Sequence, residues 1–153
     1  MTEKDDRTFI ISVRPLWAEL FFDSNNRKSV ELRKGRFSRF LLPYHTILIY
    51  ATLPVAEIIG TVIVDKCERT STPEALWKST NQGEFAKICR SDFDDYYRGA
   101  KVASAIWVKN PELFDRPVSL ARARSILGGW QPPQQIQQLT REQAAALLAT
   151  VTL

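Results

Sequence analysis

The sequence has few of the residues on which metal sites, disulfides and many hydrolytic centres depend. Among its 153 residues there are two cysteines, Cys67 and Cys89, and a single histidine, His45. A structural zinc site needs about four closely spaced Cys, His or carboxylate ligands, so the sequence predicts neither a metal site nor a cofactor. We expect the two cysteines to be buried, reduced thiols. His45 follows Pro43 and Tyr44 and is interpreted as a loop residue rather than a catalytic base.

Glycine-rich loops and long apolar runs are missing as well. The six glycines are scattered, so no phosphate-binding glycine loop is present, and no serine lies in a Gly-x-Ser-x-Gly setting. No apolar run reaches the roughly 18 residues that a membrane-spanning helix needs. Residues 1–7 are charged and lack the apolar core of a signal peptide. We therefore expect no membrane association and a cytoplasmic location.

The composition and the apolar pattern predict one globular α+β domain. Apolar residues make up 44% of the chain and charged residues 25%, which is ordinary for a folded domain of this length. The expected strands are residues 8–14, 28–34, 46–52, 55–67 and 101–109, and Gly60 marks a bulge or a close approach. The expected helices are residues 15–23, 73–79, 91–98 and 141–149, the last beginning with a capping box at Thr140. The connections are too short and irregular for a doubly wound parallel sheet, so we predict a small, mostly antiparallel β-barrel decorated by short helices.

Positive charge is concentrated in one short segment. The net charge of the chain is +4, and residues 27–39 alone carry six basic residues and one acidic residue, a net charge of +5. The basic residues of this segment are Arg27, Lys28, Arg33, Lys34, Arg36 and Arg39. A local basic patch on a nearly neutral body indicates a polyanionic partner. The alternative is a solvated surface with no ligand.

Two further patterns suggest how a ligand would be bound. Glu31 and Arg33 lie two residues apart on an expected strand, so both face the same side, about 7 Å apart at their Cα atoms. Such a pair is suited to clamping a polar ligand; the alternative is an exposed ion pair worth less than about 1 kcal/mol. Trp130 follows two glycines in an expected loop, which predicts an exposed ring on which a base could stack. The other three tryptophans, at positions 17, 77 and 107, are expected in the core.

The chain resembles the ASCH domain (activating signal cointegrator homology), a branch of the PUA-like superfamily. The resemblance begins at residues 11–22 and continues into the family signature Gly-x-Lys-x-x-Glu-x-Arg, which Lys28, Glu31 and Arg33 match. Asn26 replaces the signature glycine, a mild departure because Asn also tolerates positive φ. Further resembling segments are residues 47–51, 54–55, 58–62, 73–77, 93–99, 105–108 and, more weakly, 132–134.

The resemblance implies a PUA-like β-barrel over residues 8–138, with residues 139–153 forming a C-terminal helix packed on it or trailing it. It also implies a cleft beside the signature strand and a role in binding RNA or modified nucleosides, regulatory in RNA metabolism or translation. Some relatives are amidohydrolases that deacylate N4-acetylcytidine with the motif lysine and a threonine. That threonine falls at Glu31 here, which disfavours the same acyl chemistry.

Two functional hypotheses therefore stay open. The leading one is an RNA- or nucleoside-binding module; the alternative is a hydrolase acting on a nucleoside or RNA, since other relatives are ribonucleases. In the alternative, Lys28 and Glu31 would be the catalytic acid–base pair and Tyr50 could supply a phenol. The predicted ligand-binding residues are Lys28, Glu31, Arg33, Lys34, Arg36, Arg39, Tyr50 and Trp130. The sequence leaves the oligomeric state open.

Overall fold

Six strands form one mixed sheet, with short helices packed on both of its faces. The computed structural model describes residues 6–151. The strands are β1 (Thr8–Val13), β2 (Val30–Lys34), β3 (Thr46–Ala51), β4 (Glu57–Ser71), β5 (Ala103–Ser119) and β6 (Ile136–Leu139). The helices are α1 (Pro15–Leu20), α2 (Pro73–Ser79), α3 (Arg90–Tyr97), α4 (Leu120–Leu127) and α5 (Arg141–Leu148), with one 3-10 turn at Glu84–Ala86.

The sheet is open and mostly antiparallel. Its strand order is β2-β5-β4-β3-β1-β6, and β1 with β3 is the one parallel pair among the described strands. The predicted α+β class is therefore confirmed. The predicted closed barrel is not confirmed, because closure would require β2 to pair with β6, and these two short strands lie at opposite ends of the sheet. The 31 residues 72–102 connect β4 to β5 and carry α2, the 3-10 turn and α3.

Alternating apolar residues give the sheet two buried faces. In β1, Phe9 and Ile11 belong to one core cluster, and Ile10 between them belongs to another. The first core is covered by α1 and the loop before β3, and the second by α4 and α5. A third cluster packs β2 and β5 against α2 and α3. A sheet that is buried on both sides explains the near-continuous apolar sequence of β1 and β3.

The predicted secondary structure is right where the local signals are strong. Thr140 forms both hydrogen bonds of the expected capping box with Gln143, and α5 follows directly. Thr72 caps α2, again as expected. The predicted cap at Ser91 is wrong, since α3 begins at Arg90 and Cys89 precedes it without a capping side-chain bond.

Two elements escaped the sequence pattern, and one strand is longer than predicted. β5 runs to Ser119 rather than to residue 109, and Pro111 and Pro117 within it are residues that normally argue against a strand. Ser119 then caps α4, which was not predicted. β6, which pairs with β1, was not predicted either, because its four residues include two glutamines. The division of the chain at residue 138 stays a prediction.

Trp130 is buried, which corrects the prediction that it is exposed. Its side chain is 6% exposed, its indole N–H donates to Gln137 Oε1 at 3.0 Å, and its ring meets the edge of Tyr50 at 6.1 Å between centroids. Gly128 and Gly129 both have positive φ and turn the chain back toward the second core after α4. The glycines thus insert the indole instead of making it mobile. Tyr50 is also buried in this core, so neither ring is available for base stacking.

The remaining scarce residues have structural surroundings. Both cysteines are free thiols, but Cys89 is exposed and Cys67 only partly buried, so the expectation of two buried thiols is wrong. His45 is buried, stacks on Phe9, and accepts a hydrogen bond at Nδ1 from the Leu42 N–H. Within residues 6–151, no helix has the length and apolarity to cross a membrane.

Gly60 lies where β4 comes closest to its surroundings, as the sequence indicated. A Cβ atom at this position would overlap the backbone carbonyl oxygen of Glu112 and approach the Phe22 ring to 2.7 Å. The Phe22 ring has room to turn, whereas the Glu112 carbonyl belongs to the paired strand β5.

We expect Gly60→Ala to lower the free energy of unfolding by about 3 kcal/mol, the upper part of the range for an overpacked interior. Urea denaturation followed by circular dichroism measures this. Gly35→Ala is the control, because its Cβ would meet nothing within 4 Å and only the positive φ of 67° opposes it, at about 1 kcal/mol. Equal losses in the two variants would contradict the steric explanation.

Candidate functional site

A cleft of about 830 Å³ opens beside β2. Its walls come from the C-terminal end of β1, from α1, from β2, and from the 3-10 turn and α3 of the segment between β4 and β5. The three signature residues Lys28, Glu31 and Arg33 all line it. The structure therefore brings together the residues that the signature predicted to share a concave site.

Glu31 holds the signature residues together. Arg33 Nη2 donates to Glu31 Oε2 at 2.6 Å, and Lys28 Nζ lies 3.3 Å from Glu31 Oε1. Each cation has a second anchor: Arg33 Nη2 also donates to the Ser12 carbonyl at 2.8 Å, and Lys28 Nζ to the Ala86 carbonyl at 3.1 Å. Because both carboxylate oxygens are occupied, the three side chains form one rigid cluster.

An irregular backbone places Lys28 in this cluster. On a regular strand Lys28 would face away from Glu31, because the two positions have opposite parity. Strand β2 begins only at Val30, and before it the Lys28 N–H donates to the Leu20 carbonyl and the Ser29 N–H to the Phe85 carbonyl. These bonds turn Lys28 toward the cleft, while Glu31 and Arg33 share a face as expected.

Burial gives the cluster unusual electrostatics. The side chains of Lys28 and Glu31 are 5% and 8% exposed. Burial lowers the pKa of Lys28 below its ordinary value, and the attraction of Glu31 offsets this only in part. Burial acts to raise the pKa of Glu31, but the charges and hydrogen bonds of Arg33 and Lys28 outweigh it, so the pKa of Glu31 lies below its ordinary value. Glu31 is thus held as a carboxylate.

Arg33 keeps donors available for a ligand. All the hydrogen bonds that it makes within residues 6–151 come from Nη2, which leaves the three N–H groups on Nε and Nη1. With Lys28 protonated, the cluster holds two cations and one anion, a net charge of +1. A buried net charge is costly unless an opposite charge compensates it, so the cluster is suited to binding one anionic group.

Further cations and two aromatic rings surround the cluster. Arg14 and Lys34 line the cleft and are exposed. The ammonium of Lys34 lies 4.8 Å from the centroid of the Tyr96 ring, and the Tyr96 hydroxyl accepts from the Lys34 N–H at 3.2 Å. Burial raises the pKa of Tyr96. Trp17, half-buried on α1, forms part of another wall rather than lying wholly in the core as predicted.

The other predicted ligand-binding residues lie outside the cleft. Arg36 and Arg39 are exposed in the loop between β2 and β3 and do not line it. Arg69 holds this loop by donating to the carbonyls of Ser38, Arg39 and Leu41. Tyr50 and Trp130 are in the second core, so the phenol role predicted for Tyr50 has no support from its position.

Sequence reasoning missed four residues of the cleft: Arg14, Asp92, Asp95 and Tyr96. The two aspartates and Tyr96 belong to a helix that was predicted, but no local signal showed which face of it meets β2. Among the described residues, no group of three or more His, Cys, Asp or Glu side chains is arranged to hold a metal ion.

Comparison with known proteins agrees with these observations. No family model matches the chain. A protein of Zymomonas mobilis subsp. mobilis named ASCH domain-containing ribonuclease is 29% identical over 152 residues, which cover 97% of this chain and 96% of that protein. The crystal structure of ASCH from Zymomonas mobilis has a TM-score of 0.84 at 26% identity and covers 95% of this chain and 96% of its own. The N-terminal domain of Staphylothermus marinus McrB, with a TM-score of 0.59 at 10% identity over 93% of both chains, shares the fold alone.

The likeness to the Zymomonas protein extends over nearly the whole chain in both sequence and backbone. The signature residues Lys28, Glu31 and Arg33 are present in this chain and meet in one cleft. On these grounds the protein belongs to the ASCH domain family.

Proposed function

We propose that the protein binds single-stranded RNA, with one nucleotide seated in the cleft beside β2. The observation that carries this proposal is the buried Lys28–Glu31–Arg33 cluster, whose excess positive charge faces a cleft of about 830 Å³. Phosphate is the anionic group that RNA offers, and arginine N–H groups are its usual donors. Arg14 and Lys34 at the cleft add the charge that draws in a polyanion.

The size of the cleft favours an unpaired nucleotide. Sites of about 300–1,000 Å³ hold small ligands, and a base enters such a site only when it is free of a duplex. The relative that carries the name ribonuclease supports RNA as the ligand class. A modified nucleoside would fit the same space but lacks the phosphate that the cluster is suited to bind. A cytoplasmic location and a regulatory role in RNA metabolism are parts of this proposal.

We expect Arg33→Gln to weaken the binding of single-stranded RNA about tenfold, because a charge-assisted hydrogen bond is lost in a buried site. Fluorescence anisotropy with a labelled oligoribonucleotide measures the affinity. Since Arg33 also holds Glu31, Lys34→Gln is the second variant: Lys34 is exposed, and we expect about threefold weaker binding with an unchanged melting temperature.

Arg141→Gln is the matched control for this pair. Arg141 is exposed and its printed partner is Asp6, outside the residues that line the cleft. Wild-type affinity in folded Arg33→Gln and Lys34→Gln variants would overturn the proposal that RNA binds in this cleft.

The loop between β2 and β3 offers a second, weaker contact with the RNA backbone. Arg36 and Arg39 are exposed, neither has a carboxylate partner in the part of the chain that the structure describes, and Arg39 lies over the Phe40 ring at 4.9 Å. The loop directly follows Lys34, so a strand that leaves the cleft along β2 would pass these two cations. Such contacts position the backbone and carry no sequence preference.

The double variant Arg36→Glu/Arg39→Glu is expected to weaken binding to all RNA sequences alike. The slope of log affinity against log salt should flatten by about two units, at roughly 0.7–0.9 per lost phosphate contact. Filter-binding titrations at several salt concentrations measure both quantities. The control Arg116→Glu/Arg122→Glu makes the same change of total charge at two exposed arginines of β5 and α4. If the two double variants behave alike, the loop is only a solvated surface.

A second candidate function, RNA cleavage, is favoured by the state of Lys28. Its lowered pKa brings the neutral amine closer to physiological pH, as a general base requires. In cleavage, such a base takes the proton of a 2′-hydroxyl, whose oxygen attacks the adjacent phosphorus while the 5′-oxygen leaves. Arg33 would stabilise the charge on the phosphate. Glu31 fits the orienting role better than that of a base or nucleophile, because both of its oxygens are engaged.

Replacing Lys28 by arginine separates the two functions. Lys28→Arg keeps the positive charge but removes a group able to lose its proton near neutral pH. We expect a gel assay of end-labelled RNA to show cleavage by the wild type and a loss of at least about a hundredfold in the variant, within the range for general base catalysis, with affinity retained. Intact RNA after incubation with folded wild-type protein would exclude cleavage and leave binding as the function.

A further inference from the structure

The two sides of the cleft carry opposite charges. Arg14, Arg33 and Lys34 line the side formed by β1 and β2, whereas Asp92 and Asp95 line the side formed by α3. Carboxylates repel phosphate, so a surface that served only to hold the RNA backbone would be weakened by them. They favour binding only when they accept hydrogen bonds from another part of the ligand. In a nucleotide, the N–H donors are on the base.

The two aspartates differ in how they are engaged. Asp95 Oδ1 accepts from Arg98 Nη2 at 2.5 Å. Asp92 makes no side-chain hydrogen bond or ion pair with any residue between 6 and 151, and it is exposed at the cleft. An acidic residue in the first turn also stabilises its helix through the helix dipole. That stabilisation does not depend on which base is bound, so the two roles are separable by experiment.

Trp17 supplies an apolar face in the same cleft. Its body packs against the first core, and its remaining surface lines the cleft together with Ile88. Tyr96 is less suited to stacking because the Lys34 ammonium lies over its ring at 4.8 Å. Stacking on tryptophan accepts any base, so Trp17 provides affinity and leaves the choice of base to polar contacts.

We propose that the α3 side of the cleft is a base-recognition site that selects guanine, with Asp92 as the specificity-determining acceptor and Trp17 as the stacking surface. The two oxygens of a carboxylate match adjacent N–H donors, and guanine presents such a pair at N1 and the 2-amino group. Adenine and cytosine present one amino group beside an acceptor nitrogen, and uracil one N–H between two carbonyl oxygens. The inference rests on the proposed binding of RNA in this cleft.

The experiment compares short oligouridines that carry a single central guanine, adenine, cytosine or uracil, measured by anisotropy. Wild-type protein should bind the guanine oligomer about tenfold more tightly than oligouridine, the discrimination expected of one bidentate contact. Asp92→Asn should reduce this ratio to about twofold, since the amide offers one acceptor, while affinity for oligouridine stays the same or rises. Trp17→Ala should weaken binding to all four oligomers alike.

Asp95→Asn is the matched control. It removes the same charge from the same helix face and is expected to leave the guanine-to-uracil ratio unchanged. A wild-type ratio near one, or an equal ratio in wild type and Asp92→Asn, would overturn the guanine site while leaving RNA binding intact. Failure of RNA binding itself is recognised separately, because then no oligomer binds in a manner sensitive to Lys34→Gln.

Discussion

The carboxylate of Glu31, buried between Lys28 and Arg33, is the interaction on which the site depends. Through Arg33 it is linked to the Ser12 carbonyl at the end of β1, and through Lys28 to the Ala86 carbonyl in the 3-10 turn. One charged group thus fixes the relative positions of three segments that are far apart in the sequence. Burying these charges is costly, and losing one partner of such a cluster typically destabilises a protein by about 3–5 kcal/mol. The cluster is therefore better explained by ligand binding than by stability alone.

The same constraint separates two jobs within the cleft. The cluster is nearly inaccessible and its bonds are satisfied, so it cannot adapt to different ligands. The residues around it, Arg14, Lys34 and Asp92, are exposed. A rigid anionic anchor point surrounded by adjustable contacts is an arrangement in which general affinity for phosphate and preference for a base can be tuned independently.

Sequence reasoning succeeded where local physics decides and failed where the decision is made by distant residues. Strand parity put Glu31 and Arg33 on one face, and the capping box located α5, because both depend on near neighbours. Trp130 was misjudged because two adjacent glycines are compatible with a mobile loop and equally with a sharp turn into the core. The aspartates of α3 could not be assigned to the cleft, since only tertiary packing decides which face of that helix meets β2.

The position of α3 in the chain has a consequence for how such a protein diverges. Residues 72–102, which carry α3, leave the sheet at the end of β4 and return at the start of β5, and Ser71 pairs with Ala103 at that point. The excursion is closed by strands that are already neighbours, so its length and sequence have little influence on the pairing of the sheet, and the entropy of closing such a loop grows only slowly with its length. Insertions or replacements in this segment would reshape one wall of the cleft while the anchor on β2 stays in place. Relatives with a common sheet and signature are thus free to acquire different ligands by exchanging this one excursion.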